Sequence, residues 1–585
     1  MTLHLPRSLV LAIVIAAPAA GAKTPVATGT GGAVATISEQ ASQAALTILN
    51  RGGNAVDAAV AAAATLGVTD PFSCGIGGGG FMMIYLANEK RVVTIDHRET
   101  APASVTPALF TQDGKPMDFD TAVTSGASVG VPGTVRGWHD ALSRYGTMHF
   151  KDVLQPAIGV ATRGFVVSEN FHKLVAQNEA RFARFSSTSA LYLRDGKAVG
   201  AGTLLRNPDL AKAYRELAAH GQKAFYHGAL ARALVKAVNE PPVAPGQKVR
   251  PGAMTLADLA GYESHIRQPV HTSYRGYDVY GMPPPSSGGV AIGEALNILE
   301  GFDLDDVRRA QAEHLYLEAT RLAFADRNAY LADPDYVDAP VEGLLSDEYA
   351  AVRRKLIDPL RSMGVAPAGD PTPFLVKPTG DASARPRPKA AQPRTESTHT
   401  THLAVSDKHG NIVAYTFTIE SWGGSGIVVP GYGFLLNNEL TDFNFTAPHP
   451  NAPQAGKRPR SSMAPTIVLK DGKPAFTVGS PGGATIITTV LQTIVNHIDL
   501  HMPMDAAINA PRISNLGGAA SYVEPGFPGS EQAKALEQLG QAWEGAPEEI
   551  GAANAIVFNP DGTVTAVSEA HRHGTGSALV QSAAH

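Results

Sequence analysis

The pattern of apolar and polar positions changes character along the chain. From Ile37 to Leu66 apolar residues, mostly alanine, recur at helical spacing, with a break at Arg51-Gly52-Gly53-Asn54. A glycine followed by an asparagine reads as a C-cap and then an N-cap, so two alanine-rich helices are expected. Val92 to Ile95 reads as a strand. Helical patterns return at Phe150 to Thr162, Asn207 to His220, His227 to Val238, after the Pro283 to Gly289 turn through Leu299, at Glu313 to Arg327, and at Ile486 to Ile498. Leu403, Val405, Ile412, Ala414, Phe417 and Ile419 instead fit two buried strands. Lys408-His409-Gly410-Asn411 is the hairpin turn between them, with Gly410 or Asn411 at positive φ. Gly433 to Phe443 reads as a strand and an acidic turn, and Ile467 to Leu469 and Ala475 to Val478 as further strands. Helices mixed with strands and glycine-rich turns predict an α/β or α+β protein.

One stretch lacks any apolar period. From about Gly364 to Arg394 the chain is rich in proline, alanine and basic residues, the composition of a disordered linker. Directly after it comes Thr395-Glu-Ser-Thr-His-Thr400-Thr401-His402, and the second strand brings Thr416 and Thr418 back alongside. Two readings stand. Threonines chosen for β-propensity would make a polar hairpin edge. Alternatively, a cut before Thr400 would give that residue both a hydroxyl and a free α-amine, the amine serving as base for its own hydroxyl.

Composition narrows the class. The 585 residues exceed the usual single domain, and a hydrophobic fraction of 44% supports a large core. A formal net charge of −5 gives no sign of nucleic-acid binding. Arg7, the apolar run Leu9 to Ala17 and Ala20-Gly21-Ala22 read as an export signal over residues 1–22, the run being too short for a comfortable membrane span. A periplasmic or secreted location is expected, with no membrane attachment after removal of the signal. The single cysteine, Cys74, excludes an intrachain disulfide and reads as a small buried side chain.

Cys74 precedes the glycine run Gly75-Ile-Gly77-Gly-Gly-Gly80. That run lacks the Lys and Ser/Thr of a phosphate-binding loop and leads into a strand, so a close-packed backbone turn is expected. Asp96-His97-Arg98-Glu99 has a solvated charge cluster as its ordinary reading. Gly479-Ser480-Pro481-Gly482-Gly483 is a strand-to-helix turn whose outward N–H groups suit an anion or a developing oxyanion, a plain tight turn being the alternative. No His-rich metal-ligand spacing such as HExxH occurs, and neither metal nor organic cofactor is expected.

Thr400-Thr401-His402, Asp407-Lys408-His409-Gly410-Asn411, Gly433-Phe434-Leu435-Leu436-Asn437-Asn438 and Asp442-Phe443 resemble the γ-glutamyltranspeptidase (glutathione hydrolase) family over nearly the whole mature chain. The resemblance implies an N-terminal nucleophile hydrolase, an α+β four-layer αββα sandwich. It implies a precursor cut between His399 and Thr400 into a large subunit, residues 23–399, and a small catalytic subunit, residues 400–585, that pair as a heterodimer. Thr400 matches the nucleophile and Thr418 a threonine that hydrogen-bonds it. Arg98, Ser461 and Ser462 match a pocket for the substrate α-carboxylate, for which a guanidinium fork is suited. Glu439 and Asp442 match positions that grip the α-ammonium, and Gly482 and Gly483 the oxyanion hole. The implied activity is cleavage of γ-glutamyl amides such as glutathione through an acyl-enzyme resolved by water or an acceptor amine.

Two departures bear on the substrate. Glu420 stands where many members have Asn, so Glu420, Glu439 and Asp442 would ring one ammonium, and crowded carboxylates raise a pKa. The stretch between Asp442 and Ser461 is about ten residues shorter than in members with a lid loop. An acylase of the glutaryl-cephalosporin type is the alternative within the fold, although its substrates lack the ammonium that three carboxylates would read. A binding protein without chemistry is the alternative outside it, and it predicts an uncleaved chain.

Overall fold

A computed structural model describes residues 25–305, 307–375, 399–545, 549–574 and 576–582. The expected export signal and residues 376–394 of the expected linker lie outside the described residues.

The two alanine-rich helices form as expected, α1 at Glu39–Asn50 and α2 at Ala55–Thr69. Gly52, at φ +87°, turns the chain between them. The Asn54 side chain accepts from the N–H groups of Val56 and Asp57, and Asp57 accepts from the Asn54 N–H in return. This reciprocal cap satisfies donors that a helix start leaves open. Small alanine side chains let α2 bury almost its whole length between α1 and a sheet.

Two seven-stranded antiparallel sheets form the centre. Their strands in chain order are β1 Val26–Gly29, β2 Ala33–Thr36, β3 Gly79–Leu86, β4 Arg91–Asp96, β5 His265–Arg267, β6 Val270–Tyr274, β7 Tyr277–Gly281, β8 Thr401–Ser406, β9 Ile412–Thr418, β10 Thr466–Lys470, β11 Lys473–Gly479, β12 Asn554–Phe558, β13 Val564–Ser568 and β14 Ser577–Val580. One sheet runs β1-β13-β12-β11-β10-β7-β6 and the other β5-β4-β3-β9-β8-β2-β14. Alternation along a strand divides the cores. Met82, Ile84, Val413, Tyr415 and Phe417 face the layer holding α1 and α2. Phe81, Met83, Ile412 and Ala414 face the other sheet. Beyond that second sheet lie helices α3 Gly288–Leu299, α4 Arg309–Tyr330 and α5 Thr485–Ile498. The order helix, sheet, sheet, helix is the expected αββα sandwich. Parity then has a consequence for chemistry: Thr400, His402, Thr416 and Thr418 share the parity that faces between the sheets.

Three expectations need correction. The helical pattern of Phe150 to Thr162 divides into Phe150–Val153 and Gln155–Arg163, because Pro156 cannot continue a preceding helix and starts a new one. Gly433 to Phe443 is not a strand. Phe434, Leu435 and Leu436 are buried, which is what their apolar run signals, but Leu435 makes only an isolated bridge to Val428. The chain then closes into a single 3₁₀ turn, Glu439–Asp442. The first part of the expected linker is not one. Residues 364–375 are tied to the scaffold: the Gly369 N–H donates to Asp326 (2.6 Å), Tyr330 Oη donates to the Gly369 carbonyl (2.6 Å) and Arg353 donates to the Pro367 carbonyl (2.8 Å). Cys74 is buried as expected, and burial pushes its thiol pKa up. No helix among the described residues is long and apolar enough to cross a membrane.

Candidate active site

The site grows from the hairpin β8–β9. Gly410 takes φ +87° at its turn, and Asp407 organises the turn by accepting from the N–H groups of His409 (2.9 Å) and Asn411 (3.1 Å). Its other oxygen accepts from the Ala55 N–H at the start of α2 (3.0 Å), which locks the hairpin to the helix pair. At the open end, pairing of Thr401 with Phe417 sets Thr400 beside Thr418. The Thr400 hydroxyl lies 3.2 Å from Thr418 Oγ1 and also within hydrogen-bond reach of the His399 carbonyl oxygen. Thr418 Oγ1 donates to that same carbonyl (3.1 Å) and accepts from the Glu420 N–H (2.9 Å). The hydroxyl of Thr400 is therefore held against the carbonyl of the residue before it, and a second hydroxyl polarises that carbonyl. The glycine run makes this approach possible, as expected of a close-packed turn. A Cβ on Gly78 would stand 1.9 Å from the Thr418 carbonyl oxygen.

A charged pocket adjoins the threonines. Arg98, Glu420, Glu439, Asp442, Ser461, Ser462 and Gly483 line one small cavity with Thr400, Thr418 and His399. It encloses about 20 Å³ in the uncut chain, room for little more than one water. Arg98 is not part of a solvated cluster: it is 1% exposed, and its guanidinium pairs with both Glu439 and Asp442. Its Nε donates to the Pro459 carbonyl (3.2 Å) and an Nη to the Arg460 carbonyl (3.3 Å). The fork expected to hold a substrate carboxylate is thus already filled, because a buried cation without a counter-charge is costly. Those carboxylates hold the Arg98 pKa above its ordinary value against the effect of burial.

The carboxyls around Arg98 are perturbed in turn. Burial first, then Asp442 and Glu439, push the Glu420 carboxyl up to about 8. Glu420 sits at φ +79°, and its carboxylate accepts from Ser421 Oγ (2.6 Å) and from the Asn438 amide. Behind Arg98, burial pushes Glu99 up to about 8 and Glu439 well above the carboxylate range. The Arg98 guanidinium opposes both shifts.

The remaining expected residues all follow Thr400 in the chain, and partners that precede it hold the two serines. Cis Pro285 and Ser286 run beside Ser461, whose N–H donates to the Pro285 carbonyl (2.9 Å). Ser461 Oγ accepts from the Met463 N–H (3.1 Å), and Ser462 Oγ accepts from Arg327, which also donates to Ser287 Oγ (2.9 Å). Gly482 and Gly483 take φ +131° and +54° at the turn into α5. Their carbonyls accept from the N–H groups of Thr485 and Ile486 (both 3.1 Å), which points them into the helix. Gly483 borders the cavity, and Gly482 sits one residue behind it.

Three supports were not singled out from sequence. Asn437 donates to the carbonyls of Gly77 (2.7 Å) and Gly130 (3.0 Å) and accepts from the N–H groups of Gly130 (2.9 Å) and Glu439 (3.0 Å). It joins the glycine run to the acidic turn. Glu99 is a buried carboxyl that adds to the upward shift of Glu439. His402 is buried and neutral, with burial lowering its pKa to about 3, and Gly479 packs directly on its ring. The Asn-Asn pair and the Thr-Thr-His run were visible as motifs, but their partners lie too far along the chain to read.

The sequence model described as gamma-glutamyltranspeptidase matches residues 41–579. The glutathione hydrolase proenzyme of Bacillus subtilis (strain 168) is 40% identical over 93% of this chain and 91% of its own. The acylase ACY 1 proenzyme of Pseudomonas sp. (strain SE83) is 38% identical over 94% of each. Among solved structures, a cephalosporin acylase from Bacillus halodurans superposes with a TM-score of 0.82 at 28% identity, covering 99% of both chains. The chain belongs to the γ-glutamyltranspeptidase family.

Proposed function

We propose that this chain is a precursor that cuts itself between His399 and Thr400 and then acts as a γ-glutamyl hydrolase and transferase. The observation that carries this reading is the placement of the Thr400 and Thr418 hydroxyls on the His399 carbonyl, at the mouth of a buried pocket holding one cation and several carboxyls. In the first step Thr400 Oγ attacks the His399 carbonyl carbon, the C–N bond breaks and the amine takes up the proton. Water then hydrolyses the resulting ester. The freed Thr400 amine becomes the base for its own hydroxyl.

Cleavage of the His399 peptide opens the pocket. An incoming α-amino acid head exchanges with the internal ion pairs: its carboxylate takes the Arg98 fork, with Ser461 and Ser462 beside it, and its ammonium takes Glu439, Asp442 and Glu420. Charge is conserved in that exchange, so the pocket never holds an uncompensated cation. The γ-carbonyl then faces Thr400, and backbone N–H groups at Gly482 and Gly483 stabilise the oxyanion. Water or an acceptor amine resolves the acyl-enzyme. The two halves remain associated after the cut because β8 pairs with β2 and β9 with β3, one partner from each subunit. Export through the leader at residues 1–22 belongs to the same reading.

The acylase reading is kept open by the likeness to acylases over nearly the whole chain. The α-ammonium separates the two. Thr400→Ala is expected to leave a single uncut chain without activity, and two chains on a denaturing gel would overturn the proposal. On the mature wild type, a γ-glutamyl anilide should exceed the glutaryl anilide in kcat/KM by about 2 kcal/mol of barrier or more, the worth of a charged hydrogen bond. Equal use of the glutaryl compound would assign the pocket to acylase chemistry.

A further inference from the structure

The cavity has one wall that changes when the chain is cut. His399 lines it in the precursor and is the residue whose bond to Thr400 breaks. Its imidazole lies on the Trp422 indole, with ring centroids 3.9 Å apart and planes inclined by 36°. The Trp422 ring also lies 5.9 Å from the His573 ring, centroid to centroid. Trp422 does not owe its place to His399. Arg181 donates to the Trp422 carbonyl and to the Gly424 carbonyl (2.7 Å), while Asn178 accepts from the same guanidinium (2.9 Å). Phe182 packs so closely on Gly423 that a Cβ there would stand 2.6 Å from its ring. The loop carrying Trp422 is therefore held from the scaffold side, and the indole keeps its position when His399 leaves.

We propose that Trp422 is a specificity-determining residue of the mature enzyme: the indole face covered by His399 in the precursor becomes the surface on which the amine portion of the donor stacks. This rests on the γ-glutamyl reading. The polar end of the cavity, at Arg98, Glu439 and Asp442, takes the amino acid head, which leaves the rim beside Trp422 for whatever follows the γ-carbonyl. A flat aromatic group replaces the flat imidazole there. Leaving groups and acceptors with an aromatic ring are preferred over aliphatic ones of similar bulk.

The test compares kcat/KM for γ-glutamyl-phenylalanine and γ-glutamyl-leucine, whose leaving groups are both α-amino acids of similar amine basicity and differ in the ring. Mature wild type is expected to favour the phenylalanine donor, by roughly tenfold for one good stacking contact. Trp422→Leu, which keeps apolar bulk without a planar face, is expected to bring the ratio close to one, and Trp422→Phe to preserve most of it. A wild-type ratio near one overturns the proposal, and this arm needs no variant to fold or process. A ratio unchanged in Trp422→Leu also overturns it, leaving Trp422 only as a support for His399 during self-cleavage. If wild type turns over neither donor, the γ-glutamyl reading itself fails.

Discussion

Glu420 has the most informative protonation state among the residues of the site. Burial and the nearby Asp442 and Glu439 raise its carboxyl to about 8, so it is neutral in the empty pocket below that pH. In the proposed complex a substrate ammonium favours the charged form, so binding is expected to strengthen as pH rises through about 8. Under the proposed mechanism the terminal amine of Thr400 must also lose its proton to act as base, near pH 7.7–8.0 for an ordinary α-amine. Two deprotonations then shape the acid limb of kcat/KM, which reports groups of the free enzyme. We expect log kcat/KM for a γ-glutamyl donor to rise with a slope approaching two below pH 7, and with a slope of one in Glu420→Gln. Identical limbs in the two proteins would remove Glu420 from substrate binding.

At the scale of elements, the site is held where two backbones meet without side chains between them. Gly479 ends β11 and begins the turn that carries Gly482 and Gly483. The His402 ring of β8 occupies the space where a side chain on Gly479 would go: a Cβ there would stand 2.3 Å from the ring. The ring itself is fixed by its contact with Thr416 Oγ1 (2.7 Å). The strand that follows Thr400 and the turn that carries Gly482 and Gly483 are thus registered against each other through one glycine. Gly479→Ala is expected to cost about 1–3 kcal/mol of stability as an overpacked core. Self-cleavage should slow by about tenfold or more, since 1.4 kcal/mol of misalignment suffices for that. Thermal unfolding and the rate of two-chain formation on a gel check both. Unchanged processing would mean that the turn does not depend on its packing against His402. A contrast is Gly52, where nothing lies within 4 Å of an added Cβ and only the positive φ resists substitution.

The whole molecule carries opposed pH dependences. Burial keeps His97, His402 and His449 neutral, with pKa values of about 4, 3 and 4. The unfolded chain protonates these groups near pH 6.5, so stability is lost as pH falls from there toward 4. Glu99 and Glu420 shift the other way, to about 8. Folding favours their protonated forms, so their contribution declines as pH rises from the unfolded carboxylate range, near 4.5, to about 8. Above pH 6.5 only the carboxyl effect remains. The uncut Thr400→Ala chain is therefore expected to reach its highest Tm near pH 6 and to lose stability on both sides. A Tm that climbs steadily from pH 6 to pH 8 would contradict the buried neutral carboxyls.

Sequence alone determined what local chemistry controls. The capped break at Gly52 and Asn54, the hairpin turn at Gly410, the glycine run entering β3 and the helix starting after Gly483 all follow from backbone preferences within a few residues. The motif runs also pointed to the threonine, arginine and glycines proposed for the site. Tertiary structure decided what depends on distant partners. Arg98 meets Glu439 and Asp442 across more than three hundred residues, so its occupied fork was not legible beside it in the chain. The buried run Phe434 to Leu436 looks like a strand because apolar content signals burial, while the positive φ of Gly433 and the lack of a ladder partner make it a loop. Residues 364–375 have a linker's composition and yet are held, because Asp326, Tyr330 and Arg353 supply the bonds that their own sequence lacks. The stacking of His399 on Trp422 belongs to the same class. It exists because the sandwich brings the end of one strand against the loop after its neighbour, and no spacing along the chain encodes which ring meets which.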